Sequence, residues 1–327
     1  MMNRTLLQLF RKLTAATACL LILSTAYAQN WPSRPVVIVH PYAPGGPADT
    51  MARALAHQLE GRLKQAFVVD GRAGGAATIG TSFVARAKPD GYTLLMGTSA
   101  GHVVTPLMQK ISYDGIADFS FIAVVANQPN VVVVHPSLGV ESLQGLFEFA
   151  RKNPGKLNYA SAGMGGATHL GMEALAQRAK IQITHVPYNG AAPAMKDLLG
   201  AQVQMGMLNL AATQAFVKDG KIKALAYGGQ KRTILMPDVP TLEELGYGST
   251  VNSTWYTLAA PKDTPAWIIE IIRQAVKDAA ADPAYQAVLG ANGAEILSLS
   301  PSETTAFVQK DKTAMTQLLE SLNLTSK

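Results

Sequence analysis

Cysteine is almost absent from this chain, whose single cysteine, Cys19, lies close to the N-terminus. The remaining sequence has no thiol, which excludes disulfides, thiolate metal ligands and a cysteine nucleophile. Histidine is also scarce, since the last of six is His185 and 142 residues follow it. Beyond residue 28 no apolar run is as long as the roughly 20 residues that span a membrane, so we expect this part of the chain to be soluble.

The first 28 residues have the pattern of a secretory signal peptide. They hold three basic residues and no acidic one, then an apolar stretch from Leu13 that closes on Ala26-Tyr27-Ala28. A basic start, a short apolar region and a small-x-small end are typical of cleaved export signals. We expect cleavage after Ala28 and a periplasmic protein, the alternative being an uncleaved anchor.

The mature chain would hold 299 residues, enough for two ordinary domains. It would carry 25 Lys and Arg against 22 Asp and Glu, without a basic stripe. This near-neutral balance gives little support for nucleic-acid binding.

The body alternates apolar runs with segments of helical periodicity. Residues 36–39 form a continuous apolar run, as in a strand buried on both faces, and Leu55, Leu59 and Leu63 follow at helical spacing. This alternation predicts α/β layers. Further strands are predicted at 67–69, 92–96, 131–134, 157–160, 183–186, 203–207, 222–227 and 255–260.

Three glycine-rich loops each follow an apolar run and precede a helical pattern, at residues 41–49, 70–77 and 161–169. A fourth loop, 186–190, has the same position. Ligands of open α/β sheets bind where such loops gather, and a helix N-terminus there offers unpaired N–H groups to an anion. The pattern favours a site that holds a small anion with backbone, although glycine loops also simply make tight turns.

These loops contain no pair of carboxylates at the spacing of general acid–base catalysis. Most of their polar groups are neutral, and a few hydrogen bonds to a charged ligand suffice for micromolar affinity. The charged residues are Asp49, Asp70 and Arg72, and the neutral polar candidates are Ser161, Thr168, Tyr188 and Asn189.

A serine hydrolase is the main enzymatic alternative. Residues 97–101 match the G-x-S-x-G nucleophile elbow, with Ser99 as nucleophile, and they follow a predicted strand. That fold brings its histidine late in the chain, whereas no histidine follows His185 here. Ser99 is therefore expected to line a ligand loop or to cap a helix that starts near His102.

Other site patterns are incomplete. Gly163 and Gly165 begin a G-x-G-x-x-G run, but Thr168 occupies its last position, so no nucleotide cofactor is predicted. His169 and Glu173 share a helix face without an evident third ligand, which favours a hydrogen-bonded pair over a metal site. His40, at the end of an apolar strand, is expected to be a buried, satisfied histidine.

Five segments, taken together and in order, resemble the Bug-type periplasmic solute receptors of tripartite tricarboxylate transporters. They are residues 44–53, 89–94, 153–161, 186–190 and 236–246. The resemblance implies a type II periplasmic binding protein, with two α/β domains joined by two crossovers and a ligand cleft between them. The implied domains are 29–127 with 253–327, and 128–252.

The resemblance also implies the site. It gives Ala43, Pro44, Gly45, Gly46 and Asp49 as a carboxylate clamp, and Ser99, Ala100 and Asn127 as the first domain's cleft lining. Ser161, Gly163, Thr168, Tyr188, Asn189 and Asn209 would face them from the second domain. Asp49 has two interpretations, as an acceptor for the ligand or as a cap of the helix it precedes.

Two departures from the family pattern affect these assignments. The second glycine loop, residues 70–77, differs from the family run, which weakens the assignment of its glycines to the site. Leu208 stands where many members carry aspartate, so a less cationic or more apolar ligand is favoured.

The implied function is capture of a small carboxylated molecule, such as an organic acid, aromatic acid or amino acid, and its delivery to a membrane permease. The receptor would act as a monomer without cofactor, metal or catalysis. A sensor without a transport role is the third alternative.

Overall fold

A computed structural model of the protein describes residues 31–248, 252–297 and 299–325. The predicted signal peptide, residues 1–28, lies outside the described residues. Contacts divide the chain into Met1–Ser33 and Arg34–Lys327, and all elements below belong to the second unit. Within the described ranges, no helix has the length and apolar character to cross a bilayer.

Strands and helices alternate along most of the chain. The strands are β1 (Val36–His40), β2 (Phe67–Gly71), β3 (Thr93–Gly97), β4 (Phe119–Val134), β5 (Asn158–Ser161), β6 (Thr184–Pro187), β7 (Met205–Asn209), β8 (Lys223–Tyr227) and β9 (Ser253–Pro261). The helices are α1 (Pro47–Leu63), α2 (Thr78–Ala85), α3 (Thr105–Met108), α4 (Leu143–Lys152), α5 (Ala167–Ala179), α6 (Ala191–Leu199), α7 (Leu210–Lys218), α8 (Ala266–Ala280), α9 (Pro283–Ala291) and α10 (Pro301–Ser321).

The nine strands hydrogen-bond in the order β2-β1-β3-β9-β4-β7-β5-β6, with β8 also paired to β4. β1 is parallel to β2 and β3, and β5 is parallel to β6 and β7. Parallel strands bring their carboxyl ends to one edge, where the following loops lead into helices. Each half of the sheet therefore presents its βα loops along one edge.

The long strand β4 connects the two halves. Its residues up to Pro129 pair with β9, and Asn130 onward pairs with β7 and β8. The register with β9 shifts twice, between Phe121 and Ala123 and between Val124 and Ala126. Such irregularities bend a strand, which suits β4 to the passage from one half to the other.

Buried hydrophobic clusters pack against both halves of the sheet. The cluster of the first half includes Leu95, Val124, Trp255 and Leu319, so the C-terminal helix α10 packs on the early strands. The same cluster also includes Ala167 and Leu170 of α5. In the second half, Phe147, Tyr159 and Leu175 belong to one cluster, and Val131, Leu198 and Leu208 belong to another.

The strands predicted from apolar runs are present, and the ends of all but one agree within two residues. The exception is β4, which begins at Phe119 rather than at 131. Its early part mixes Ser120, Asn127 and Gln128 with apolar residues, so it lacks the uniform run by which the buried strands were predicted.

Replacing Phe147 by Ala should lower the free energy of unfolding by about 3–5 kcal/mol, because the ring is fully buried and a cavity would remain. Its ring lies 5.1 Å from that of Tyr247, edge to face. Ile234→Ala is the control, because Ile234 is 94% exposed and its loss should change stability little. Chemical denaturation would measure both, and equal effects would contradict this packing.

Candidate ligand-binding site

A cavity of about 370 Å³ lies where the loops of both halves converge. Such a volume suits a small organic molecule. Its lining comprises Pro41, Tyr42, Ala43, Gly46, Pro47 and Ala48; Gly74, Gly75, Ala76 and Ala77; Thr98, Ser99, Ala100 and Gln109; Ala162, Gly163, Met164, Gly166, Ala167 and Thr168; Pro187, Tyr188, Asn189, Ala191 and Asn209; and Ser253, Thr254, Trp255 and Tyr256.

The lining is electrically neutral, because none of these described residues is Asp, Glu, Lys, Arg or His. Its titratable side chains are tyrosines. Burial raises the pKa of Tyr42 and of Tyr188 to about 12, so both phenols are uncharged at physiological pH. A charged ligand in this cavity must therefore be met by backbone groups, hydroxyls and amides.

Five helices begin at the cavity without side-chain caps. The N-cap residues of α1, α2, α5, α6 and α7 are Gly46, Ala77, Gly166, Gly190 and Asn209, and none of them makes a side-chain cap. Of the helices that begin elsewhere, α4, α9 and α10 are capped by Ser142, Asp282 and Ser300, whereas α8 follows Pro265 without a side-chain cap. Uncapped first-turn N–H groups and the helix dipole attract anions, so this cavity is suited to a carboxylate.

The N-termini of α1 and α6 lie side by side. A Cβ added to Gly46 would stand 3.8 Å from the nitrogen of Ala191 and 3.7 Å from that of Ala192. The loops before these helices are joined, because the Ala43 N–H donates to the Asn189 carbonyl at 2.7 Å. Two helix ends thus face one small volume.

The third glycine loop rests on a buried polar cluster. Ser161 Oγ lies 2.7 Å from His185 Nε2 and accepts from the Gly163 N–H, which fixes the turn into α5. The His185 ring stacks between those of Tyr159 and His169. Burial lowers the pKa of His185 to about 4 and of His169 to about 3, so both rings are neutral.

A sequence model described as the tripartite tricarboxylate transporter family receptor matches residues 51–324 of the chain. The chain belongs to this family. Protein BugT of Bordetella pertussis (strain Tohama I) is 35% identical over 283 residues, which cover 86% of this chain and 87% of BugT.

Solved structures extend this comparison. The periplasmic binding protein BugD has a TM-score of 0.86 and 33% identity, covering 91% of this chain and 100% of BugD. Rpa4515 of R. palustris, solved with adipate, has a TM-score of 0.87 and 31% identity, covering 91% of this chain and 100% of its own. The receptor thus has the periplasmic binding protein fold, with two α/β domains, as the sequence resemblance predicted.

Nine of the predicted site residues line the receptor's cavity: Ala43, Gly46, Ser99, Ala100, Gly163, Thr168, Tyr188, Asn189 and Asn209. Five lie behind or beside it: Pro44, Gly45, Asp49, Asn127 and Ser161. Ser161 is fully buried in the histidine cluster. Asn127 is on β4, where its backbone exchanges hydrogen bonds with that of Glu295.

Asp49 lies in the first turn of α1, so it is not the N-cap residue, which is Gly46. Its carboxylate accepts from the Gly45 N–H at 3.1 Å and from Arg53 Nε at 3.0 Å, and lies 3.1 Å from His40 Nε2. Burial would raise the pKa of Asp49, but these hydrogen bonds lower it below its ordinary value. Asp49 therefore fixes the first loop from behind.

His40 is buried as predicted, but only one of its nitrogens is paired. Nε2 contacts Asp49, whereas Nδ1 has no partner among the described residues. Burial lowers the pKa of His40 despite the neighbouring carboxylate. The neutral ring therefore donates to Asp49 and holds it in place.

The serine of the nucleophile-elbow motif has no imidazole partner among the described residues. Ser99 Oγ donates to Asp311 Oδ2 at 2.5 Å. The nearby His102 ring is occupied by the Gly115 carbonyl and by Thr257 Oγ1. Ser99 precedes a π-helical turn, Ala100–Val104, in the N-cap position, but its side chain does not cap that turn.

The suggested pair His169 and Glu173 binds separate partners. His169 Nδ1 accepts from the Gly165 N–H, and Glu173 accepts from the Tyr159 hydroxyl. The described residues contain no cluster of ligands that fits a metal ion.

The second glycine loop lines the cavity through Gly74, Gly75, Ala76 and Ala77, although its departure from the family run had weakened its assignment to the site. Its position after β2 and before α2 was the available signal, although its sequence departs from the family run. The predicted site residues also omitted Tyr42, Thr98 and Met164, although these lie within the loops and the G-x-S-x-G run seen in the sequence, and Gln109 and the start of β9, for which no local motif exists.

Asp49→Asn should lower the free energy of unfolding at pH 7 by about 1–3 kcal/mol, toward the lower value because Arg53 is solvent-exposed. Since the folded pKa lies below the unfolded value near 3.9, the carboxylate's advantage is complete above about pH 4. It should disappear as the pH falls through the folded pKa.

Denaturation at several pH values would measure this difference. Asp219→Asn is the control, because its pair with Lys221 is exposed on both sides and should contribute little. A constant difference between wild type and Asp49→Asn from pH 7 to pH 2 would contradict the assignment.

Proposed function

We propose that the protein is a periplasmic receptor that captures a small carboxylated molecule in this cavity and delivers it to a tripartite tricarboxylate-type permease. The observation that carries the proposal is the meeting of five helix N-termini without side-chain caps at a cavity lined without charged side chains. Binding of adipate by the relative Rpa4515 supports the same ligand chemistry.

The proposal assigns residues 29–127 and 253–327 to one domain and 128–252 to the other. The change of partner along β4 after Pro129, and the start of β9 at Ser253, support these boundaries. The Ala43–Asn189 hydrogen bond then crosses the cleft, so the conformation described is closed. Ligand capture is a hinge motion about β4 and β9 that forms this bond.

Calorimetry and thermal-shift measurements on the exported, purified receptor would test capture. The panel contains mono-, di- and tricarboxylates, aromatic acids and amino acids. We expect one-to-one binding with micromolar affinity, about 8 kcal/mol, and a higher unfolding temperature at saturating ligand. Failure of the whole panel, together with an esterase activity abolished by Ser99→Ala, would establish the hydrolase alternative instead.

The delivery step needs a test in the cell. Uptake of the identified ligand should be lost when either the receptor or its permease is deleted. Uptake that survives deletion of the permease would favour a sensor that binds the ligand without serving its transport.

Gly190→Ala should weaken ligand affinity about tenfold or more. Gly190 has φ +135°, and a Cβ there would lie 3.3 Å from the Ala43 nitrogen, so the side chain would oppose the bond that closes the cleft. Gly220→Ala is the matched control, because Gly220 also has positive φ, at +69°, but a Cβ there contacts nothing within 4 Å.

Gly220→Ala should cost backbone strain of about 1 kcal/mol, whereas Gly190→Ala should cost up to about 3 kcal/mol, because φ +135° with ψ 169° is a conformation that essentially only glycine adopts. Only Gly190→Ala should change the dissociation constant measured by calorimetry. Equal affinities of the two variants would show that closure does not depend on this approach of the loops.

A further inference from the structure

The Ser99 hydroxyl donates its hydrogen bond to a residue outside the cavity lining. Ser99 lines the cavity, and its Oγ donates to Asp311 Oδ2 at 2.5 Å. Asp311 lies on α10 and does not line the cavity. An ionised carboxylate can only accept, so the direction of this hydrogen bond is fixed. Toward the cavity, Ser99 therefore presents lone pairs and no donor.

Thr254 presents the same polarity. Its hydroxyl donates to Asn130 Oδ1 at 3.2 Å, and Asn209 Nδ2 donates to that same oxygen at 3.1 Å. Asn130 is buried on β4 and lies outside the lining, whereas Thr254 and Asn209 belong to it. Since its proton is directed at Asn130, Thr254 Oγ1 can offer a ligand in the cavity only an acceptor.

The two acceptors lie at one edge of the sheet. Ser99 follows the end of β3, and Thr254 is near the start of β9, the antiparallel neighbour of β3. The uncapped helix N-termini, by contrast, bring N–H donors to the same cavity. The cavity thus combines a region that requires an anion with a region that requires a hydrogen-bond donor.

We propose that the ligand is a hydroxycarboxylate: its carboxylate meets the helix N-termini, and its hydroxyl donates to Ser99 Oγ or Thr254 Oγ1. This inference rests on the proposed function and narrows its ligand class. A ligand without a donor would displace water from the acceptor lone pairs of both hydroxyls without replacing its hydrogen bonds, which costs affinity.

An ammonium group is also a donor, but the cavity disfavours it. None of the described lining residues carries a carboxylate. Three carboxylates that contact lining residues or the first loop already have partners: Asp49 has Arg53 and Gly45, Asp197 has Tyr188, and Asp311 has Ser99. A buried ammonium would lose its hydration without a counter-charge, so a neutral hydroxyl is preferred.

Asp311 acts in this scheme as a positioning residue. Burial raises the pKa of its carboxyl, and the hydrogen bond from Ser99 opposes that rise. Asparagine, unlike an ionised carboxylate, can turn its Nδ2 to Ser99 Oγ and donate to it, which releases the hydroxyl proton toward the cavity. Asp311→Asn should therefore change the polarity of Ser99 without changing the shape of the site.

Matched ligands that differ in one substituent test the inference. Succinate, malate and aspartate carry hydrogen, hydroxyl and ammonium on the same skeleton, and propionate, lactate and alanine form the equivalent monocarboxylate set. In whichever set binds, we expect the hydroxylated member to bind about threefold to tenfold more tightly than the unsubstituted one. If another carboxylate of the panel binds more tightly, the same comparison is made between that acid and its hydroxylated derivative. The ammonium-bearing member should bind more weakly than the hydroxylated one.

Two variants locate the effect. In Ser99→Ala and in Asp311→Asn the ratio of the two dissociation constants, unsubstituted over hydroxylated, should fall toward one. Asp311→Asn should lower this ratio although the serine is retained, which a merely structural role of Asp311 would not produce. If either variant fails to fold, the ligand series on the wild type still decides the question.

The outcomes separate this inference from the proposed function. Binding of no carboxylate would overturn both. Binding in which the unsubstituted member equals or exceeds the hydroxylated one would overturn the inference alone, and so would tightest binding of the ammonium-bearing member. A hydroxyl preference unchanged in both variants would overturn the role of Ser99 and Asp311.

Discussion

The first turn of an α-helix has N–H groups that no residue of that helix can satisfy, and this constraint shapes the receptor's site. In α4, α9 and α10, which begin away from the cavity, Ser142, Asp282 and Ser300 accept from such groups, although α8 begins without a side-chain cap. At the cavity the N-cap positions are three glycines, Ala77 and Asn209, and none of them makes a side-chain cap. In the proposed site the ligand supplies the stabilisation that a cap would give, so the residues that fold the loops would also define the chemistry of binding.

A neutral lining requires that nearby charges be paired behind it. Asp49 is held by Gly45, Arg53 and His40, and its negative charge is thereby kept from opposing an anionic ligand. The histidines beneath the third loop are kept neutral by burial. Ser99 and Thr254 direct their protons away from the cavity, so the same surrounding residues set both the charge of the lining and the direction of its hydrogen bonds.

The sequence predicted the layered α/β fold because strands buried in a parallel sheet consist of uniform apolar runs. The predicted strand ends agree with the structure within two residues except in β4. The sequence predicted the first and third glycine loops because each follows such a run. It did not assign residues 74–77 to the site, although they line the cavity. A family pattern compares residue types, and here the types differ while the position of the loop between β2 and α2 is kept. The family resemblance implied Asp49 and Asn127 as site residues, but neither lines the cavity: the Asp49 carboxylate accepts from Gly45 and Arg53, and Asn127 lies on β4 with its backbone paired to that of Glu295.

The element types, the family and the absence of thiol chemistry beyond residue 28 can be predicted from the sequence, because they depend on local pattern and composition. Which residues contact one another depends on the folded chain. Ser99 and Asp311 are 212 residues apart, and Ala43 and Asn189 come from loops in different halves of the sheet. No local pattern encodes such pairs, since they arise from the pairing of β3, β9 and β4 and from the packing of α10. The direction of each hydrogen bond, and with it the polarity of the cavity, is therefore a property of the folded chain.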